Sequence, residues 1–103
     1  MLDKIQRCLE EGNWRISYHA IKRCDARDIA LEDLLTAIAV GEVIEEYPND
    51  PRGASCLVLG RTPDGKPLHV VCAINREGWV IIITAYYPEE PKWVDERTRR
   101  RNQ

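Results

Sequence analysis

Apolar side chains recur every three or four residues at the start of the chain, and the period changes towards two from about Val43 onward. Leu2, Ile5, Cys8 and Leu9 share one helical face, Lys4, Gln6 and Glu10 lie between them, and Gly12 is placed to end that helix. Trp14-Arg15-Ile16 reads as a short extended entry, after which Ser17 is an N-cap candidate for a second helix with Ala20, Ile21 and Cys24 inward. Asp28-Ile29-Ala30 breaks the pattern. A third helix is predicted from about Leu31 to Val40, with Leu31, Leu34, Leu35 and Ile38 inward and Gly41 closing it.

Four strands are predicted in the remainder. Val43–Tyr47 ends at the turn signal Pro48-Asn49-Asp50-Pro51, and Ser55–Arg61 is joined to Leu68–Ile74 by the hairpin turn Thr62-Pro63-Asp64-Gly65-Lys66. After Asn75-Arg76-Glu77-Gly78, Trp79–Tyr87 is the most apolar run, which suits a central, covered strand. Pro88 and Pro91 stop it, and Lys92–Gln103 reads either as a short helix around Trp93 or as a mobile segment. Helices followed by hairpin-linked strands imply an α+β fold: N-terminal helices packed on one face of a four-stranded antiparallel meander. Residues 1–95 form one domain in this reading, and 96–103 a basic C-terminal tail.

Composition narrows the class. A chain of 103 residues, 44% hydrophobic and 31% charged, is sized for one folded domain. No stretch approaches the roughly 20 apolar residues of a membrane span, and Met1-Leu2-Asp3-Lys4 lacks a signal peptide's apolar core, so a cytoplasmic location is expected. Cys8, Cys24, Cys56 and Cys72 stand singly, which favours buried reduced thiols over zinc ligation; neither a metal nor another cofactor is expected. Net charge is −2, but it is unevenly spread: residues 1–50 hold 11 acidic and 6 basic groups, residues 51–103 hold 6 and 9. The run Arg97-Thr98-Arg99-Arg100-Arg101 suits a phosphate or an acidic partner, or stays solvated.

Candidate chemistry gathers on the second helix. His19, Arg23 and Arg27 follow one another at steps of four, about 40° apart around the axis, and form one row. Such a row is either a solvated basic face or a phosphate site, since guanidinium groups offer a planar fork of donors and imidazole moves protons near neutral pH. His69 shares a strand face with Val71 and Ala73, while Leu68, Val70 and Cys72 point the other way; Thr84 and Tyr86 share a face of the last strand. His, Arg and Tyr together suit cleavage of RNA by its own 2′-hydroxyl. That reaction needs a base, donors to the charged phosphorane and an acid for the 5′ oxygen. His19 or His69 is then base or acid, Arg23 and Arg27 hold the phosphorane, and Tyr86 donates a proton or positions the substrate. No glycine-rich phosphate loop follows a strand, the acids Asp25, Asp28, Glu32 and Asp33 match no calcium loop, and Cys24 is poorly placed to pair with His19. Trp14, Trp79 and Trp93 suit packing or base stacking.

Several blocks taken together resemble the bacterial domain-of-unknown-function family 4258: Tyr18-His19-Ala20 with Arg23 and Arg27, Asp33–Ile38, Gly41–Pro48, Ser55–Gly60, Pro67–Val71 and Ile83–Pro88. More distantly, helices followed by a meander ending in Ile83-Thr84-Ala85 resemble the RelE/BrnT-like toxins of type II toxin–antitoxin systems. That resemblance implies a metal-independent ribonuclease, with RNA and a cognate antitoxin of the YgiT-type zinc-finger class as partners. The positions it carries over are His19, Arg23, Arg27, His69 and Tyr86. The alternative is a non-catalytic binding module that uses the His19/Arg23/Arg27 face for a nucleic acid or a protein.

Overall fold

The computed structural model describes residues 1–100 and has three helices and five strands: α1 (Leu2–Glu11), β1 (Trp14–Ile16), α2 (Tyr18–Ala26), α3 (Leu31–Ala39), β2 (Glu42–Tyr47), β3 (Ser55–Arg61), β4 (Pro67–Ile74) and β5 (Val80–Tyr86). Local chemistry accounts for the helix ends. Gly12 adopts the left-handed conformation, φ 79°, and ends α1, while the Ser17 hydroxyl accepts from the Ala20 amide at 3.0 Å and starts α2. The break after α2 is made by Asp28, which sits at φ 54°. Gly41 follows α3 for a different reason: a Cβ there would press on Val58 and on the Ala37 carbonyl, so glycine is needed for packing.

The α+β class matches the sequence reading, but the sheet does not match it in detail. It has five strands in the order β1-β5-β4-β3-β2 and is mixed, because β1 pairs in parallel with β5 through Trp14↔Val80, Arg15↔Ile81 and Ile16↔Ile82. Only the β2–β5 part is the expected antiparallel meander. A three-residue strand has too little sequence to show a period, and its pairing partner lies more than 60 residues away, so only the fold reveals it.

Strand alternation separates two faces. The inner face presents Cys56, Val58, Leu68, Val70, Cys72, Val80, Ile82 and Ala85 to the helices. Ile5 and Cys8 of α1, Ala20 and Cys24 of α2, and Leu34, Ala37 and Ile38 of α3 complete this core. Two expected inward residues are instead exposed, Ile21 at 43% and Leu31 at 46%. All four cysteines are unpaired thiols and buried, and burial pushes the Cys56 thiol up to about 11, which leaves it unreactive.

The outer face carries Leu57 and Leu59 of β3, His69, Val71 and Ala73 of β4, and Ile81, Thr84 and Tyr86 of β5. Two bulges shape it. Ile44 is an extra residue against β3, which brings Glu42, Glu45 and Tyr47 to the outer face opposite Leu59, Leu57 and Ser55. Ile83 is the extra residue of β5, between Ile82 opposite Cys72 and Thr84 opposite Val71. Residues 88–100 cross this face as a strap and are neither the expected helix nor detached. Trp93 is only 2% exposed, and backbone bonds Val94 N–H to Thr98 O (2.8 Å) and Arg100 N–H to Lys92 O (2.7 Å) close the strap on itself. Arg97 pairs with Glu42, Arg99 with Glu45 and Glu96 with Arg61. Of the expected basic tail, Arg101, Asn102 and Gln103 lie outside the described residues.

Candidate functional site: a histidine–tyrosine pair beside a basic groove

His69 and Tyr86 are direct cross-strand partners on the outer face of β4 and β5. The imidazole is fully buried, and both ring nitrogens are engaged: Nε2 lies 2.7 Å from the Glu96 carbonyl oxygen and Nδ1 lies 3.3 Å from the Tyr86 hydroxyl. A carbonyl only accepts, so Nε2 carries the proton, and Nδ1 is left to accept from the phenol. Trp93 lies edge-on to the imidazole, with ring centroids 4.4 Å apart, and Tyr86 lies edge-on at 5.2 Å. Burial lowers the His69 pKa below its ordinary value, against the opposing pull of the Glu96 carbonyl and the Glu45 carboxylate, so the ring is neutral at pH 7. Burial also raises the Tyr86 pKa, which keeps its phenol protonated.

Glu45 anchors the far side of the cluster. It accepts from the Tyr47 hydroxyl and from Arg99, whose Nη2 lies at 2.8 Å, and the Arg99 hydrogen bond holds its carboxyl below the usual range. Burial and the bond to Glu45 push the Tyr47 phenol up to about 12. The Arg99 guanidinium also lies 4.6 Å from the centre of the Trp93 ring.

Tyr86 opens on its other side into a groove of about 400 Å³ that Arg27, Lys92, Trp93 and Arg99 help to line, together with Glu89 and Glu90. Arg27 is held there by a 3.1 Å bond from Nη1 to the Ala85 carbonyl oxygen, which fixes the C-terminal end of α2 against β5. His19 is elsewhere. It lines a second cleft of about 270 Å³ with Ser17, Arg52, Ala73, Ile81 and Ile83, towards the other end of β5. Arg23 is exposed on α2 between these two positions. The five residues singled out in the sequence are thus divided: Tyr86 and Arg27 line one groove with His69 buried behind Tyr86, His19 lines another cleft, and Arg23 lines neither. The sequence reading left Arg99, Lys92, Glu45 and the Glu96 carbonyl out of the site. The lone tryptophan in a polar, basic segment was the available signal that this stretch packs rather than drifts.

Among the described residues, no three His, Cys, Asp or Glu side chains come together in a way that would hold a metal ion. No helix among them is long and apolar enough to cross a membrane. No curated protein and no solved structure matches the chain. A family model described as a domain of unknown function, DUF4258, matches residues 16–87 and so takes in His19, Arg23, Arg27, His69 and Tyr86 while excluding the strap. With that match running from the last residue of β1 to just past the end of β5, the chain belongs to the domain-of-unknown-function family 4258.

Proposed function

We propose that this chain is a small RelE/BrnT-like toxin that cleaves RNA through its own 2′-hydroxyl, with the chemistry carried out by side chains of the groove. The observation that carries this reading is the chain of contacts Glu96 carbonyl, His69, Tyr86, ending at a groove lined by Arg27, Lys92 and Arg99. A base oriented by a third group and bonded to a hydroxyl is the arrangement that moves a proton from that hydroxyl. In the proposed reaction the 2′-hydroxyl proton passes to the Tyr86 oxygen as the phenolic proton passes to His69 Nδ1, and the 2′ oxygen attacks phosphorus. Arg27 holds the charged phosphorane oxygens, Arg99, whose charge Glu45 offsets, donates to them only through the part of its fork that Glu45 leaves free, and Lys92 protonates the departing 5′ oxygen. The products are a 2′,3′-cyclic phosphate and a 5′-hydroxyl end. The Glu45 charge favours the imidazolium that forms in between, against the opposing charge of Arg99. His19 lies too far along α2 to act at the same phosphate. A cognate antitoxin, of the YgiT-type zinc-finger class by the same resemblance, is the expected protein partner.

A second reading rests on a specific feature of the same site. His69 is buried beneath Trp93 with both nitrogens engaged, which suits a ring that holds the groove's shape while Tyr86, Arg27 and Arg99 bind RNA without cutting it. Induced expression in bacteria separates the two, comparing the wild type with Tyr86→Phe and Arg27→Ala at matched soluble levels. The toxin reading expects growth arrest by the wild type alone. Equal growth of all three strains removes cleavage and leaves the binding module.

A further inference from the structure

The two clefts lie on one face of the sheet. Ala73 and Ile81, which floor the His19 cleft, are cross-strand partners on the same face as the His69 and Tyr86 pair, and Val71 and Thr84 fill the strip between them. Along the rim of that strip runs the α2 row. His19 lines one cleft and Arg27 the other, eight residues apart and so about 12 Å along the helix, with Arg23 exposed between them. At about 3.4 Å for each stacked nucleotide, that distance is the rise of three to four nucleotides of a single strand.

The His19 cleft has its own chemistry. Its floor is apolar, made by Ala73, Ile81 and the bulged Ile83, and its rim carries Ser17, His19 and Arg52. Ser17 is already committed, since its hydroxyl donates to the Ile83 carbonyl at 3.0 Å and accepts from the Ala20 amide. Arg52 is fixed from behind, with Nε at 3.0 Å and Nη2 at 2.8 Å from the Asp50 carboxylate, so that Nη1 is the part of the fork left to donate forward. Asp50 is itself tied to the Ser55 hydroxyl at 2.7 Å and to the Arg52 amide at 3.0 Å, so the guanidinium is positioned rather than floppy. An apolar floor with donors on its rim suits a planar group whose edges accept hydrogen bonds. A charged phosphate fits less well, because Asp50 offsets the Arg52 charge.

We propose that the cleft formed by His19, Arg52, Ala73, Ile81 and Ile83 is a nucleobase subsite that takes a base of the same RNA strand about three nucleotides from the phosphate held in the Tyr86 groove. This rests on the RNA reading above and adds to it a length requirement: the substrate is an unpaired strand that reaches both clefts. A duplex cannot place a base on Ile81 and Ile83 without opening.

The test uses the full chain and fluorescein-labelled 2′-O-methyl RNA of mixed sequence, three or nine nucleotides long, which has no 2′-hydroxyl to react. Binding is read by fluorescence anisotropy at low salt. The nine-mer should bind the wild type at least tenfold more tightly than the three-mer. Arg52→Ala and Ile83→Asp should each bring that ratio down to about one, and His19→Ala, an exposed position that should not perturb folding, should lower it several-fold. Thermal melts of each variant identify a folding defect, and Arg52→Ala and His19→Ala carry the test if Ile83→Asp melts early. A nine-mer ratio that stays at the wild-type value in folded Arg52→Ala and His19→Ala overturns the subsite while leaving the groove reading intact. A wild type that binds neither oligomer overturns the RNA reading and the subsite with it. A hairpin duplex of equal length that binds as tightly as the nine-mer overturns the claim of a single strand.

Discussion

Replacing Trp93 with alanine tests how the strap and the buried histidine depend on each other. A large aromatic side chain buries roughly 150–250 Å² and, at about 25 cal/mol per Å², contributes about 4–6 kcal/mol in gross terms. Trp93 is 2% exposed and edge-on to His69, so nearly all of that contact is made. The other ties of the strap are the 2.7 Å hydrogen bond from His69 Nε2 to the Glu96 carbonyl, about 1 kcal/mol net, and ion pairs of half-exposed arginines, Arg97 with Glu42, Arg99 with Glu45 and Arg61 with Glu96, which solvent screens. The indole therefore carries most of the docking. Trp→Ala in a sealed core costs about 3–5 kcal/mol, but a surface strap peels away instead of leaving a void, which limits the loss to about 2–4 kcal/mol. Once the strap lifts, water reaches His69 and the Glu96 carbonyl leaves, so the imidazole pKa should rise towards its ordinary value as its desolvation is relieved. Urea unfolding gives the first quantity, and the imidazole proton resonances followed against pH give the second. A stability loss under about 0.5 kcal/mol, the size of an ordinary surface change, with the His69 titration unmoved, would refute the reasoning.

Gly60→Ala should destabilise the fold by at least about 2 kcal/mol in a thermal or urea melt, because a Cβ there would overlap the backbone of Ala37 and α3 would have to lift from β3. Stability should also depend on pH through His69. Its folded pKa is lowered, so the unfolded chain binds the proton more readily; stability is full above the unfolded value of about 6.5 and falls as pH drops from there through the folded pKa. In urea melts at pH 7.5 and 5.0, His69→Gln should lose part of this difference, and an unchanged difference would place the acid sensitivity elsewhere.

The parts of this molecule that could be read from the chain are those set by local chemistry. Ser17 caps α2 because its hydroxyl reaches an amide three residues on, and the alternation Leu68, Val70, Cys72 against His69, Val71, Ala73 assigns both faces of β4 correctly. What escaped depends on partners distant in sequence. Ile21 and Leu31 have the right residue type for a core, yet each stands exposed because Ala20 and Cys24 in α2, and Leu34, Ala37 and Ile38 in α3, already fill the space over the sheet. The bulge at Ile44 turns Glu45 towards the outer face, which no binary pattern announces, and only then does Arg99 have its carboxylate. His69 and Tyr86 were both singled out, but their contact follows from a register that the bulge at Ile83 sets. His19, Arg23 and Arg27 do form a row along α2, but the row spans two clefts, so shared spacing on a helix did not amount to a shared site.

The most direct measurement is incubation of purified wild type, Tyr86→Phe and Arg27→Ala with a labelled single-stranded RNA in the presence of EDTA, followed by analysis of the fragment ends. The account predicts fragments ending in 2′,3′-cyclic phosphate with the wild type and at least a hundredfold slower cleavage with Tyr86→Phe, the lower end of what general acid–base catalysis supplies. RNA left intact by folded wild type, or cut as fast by Tyr86→Phe, would contradict it.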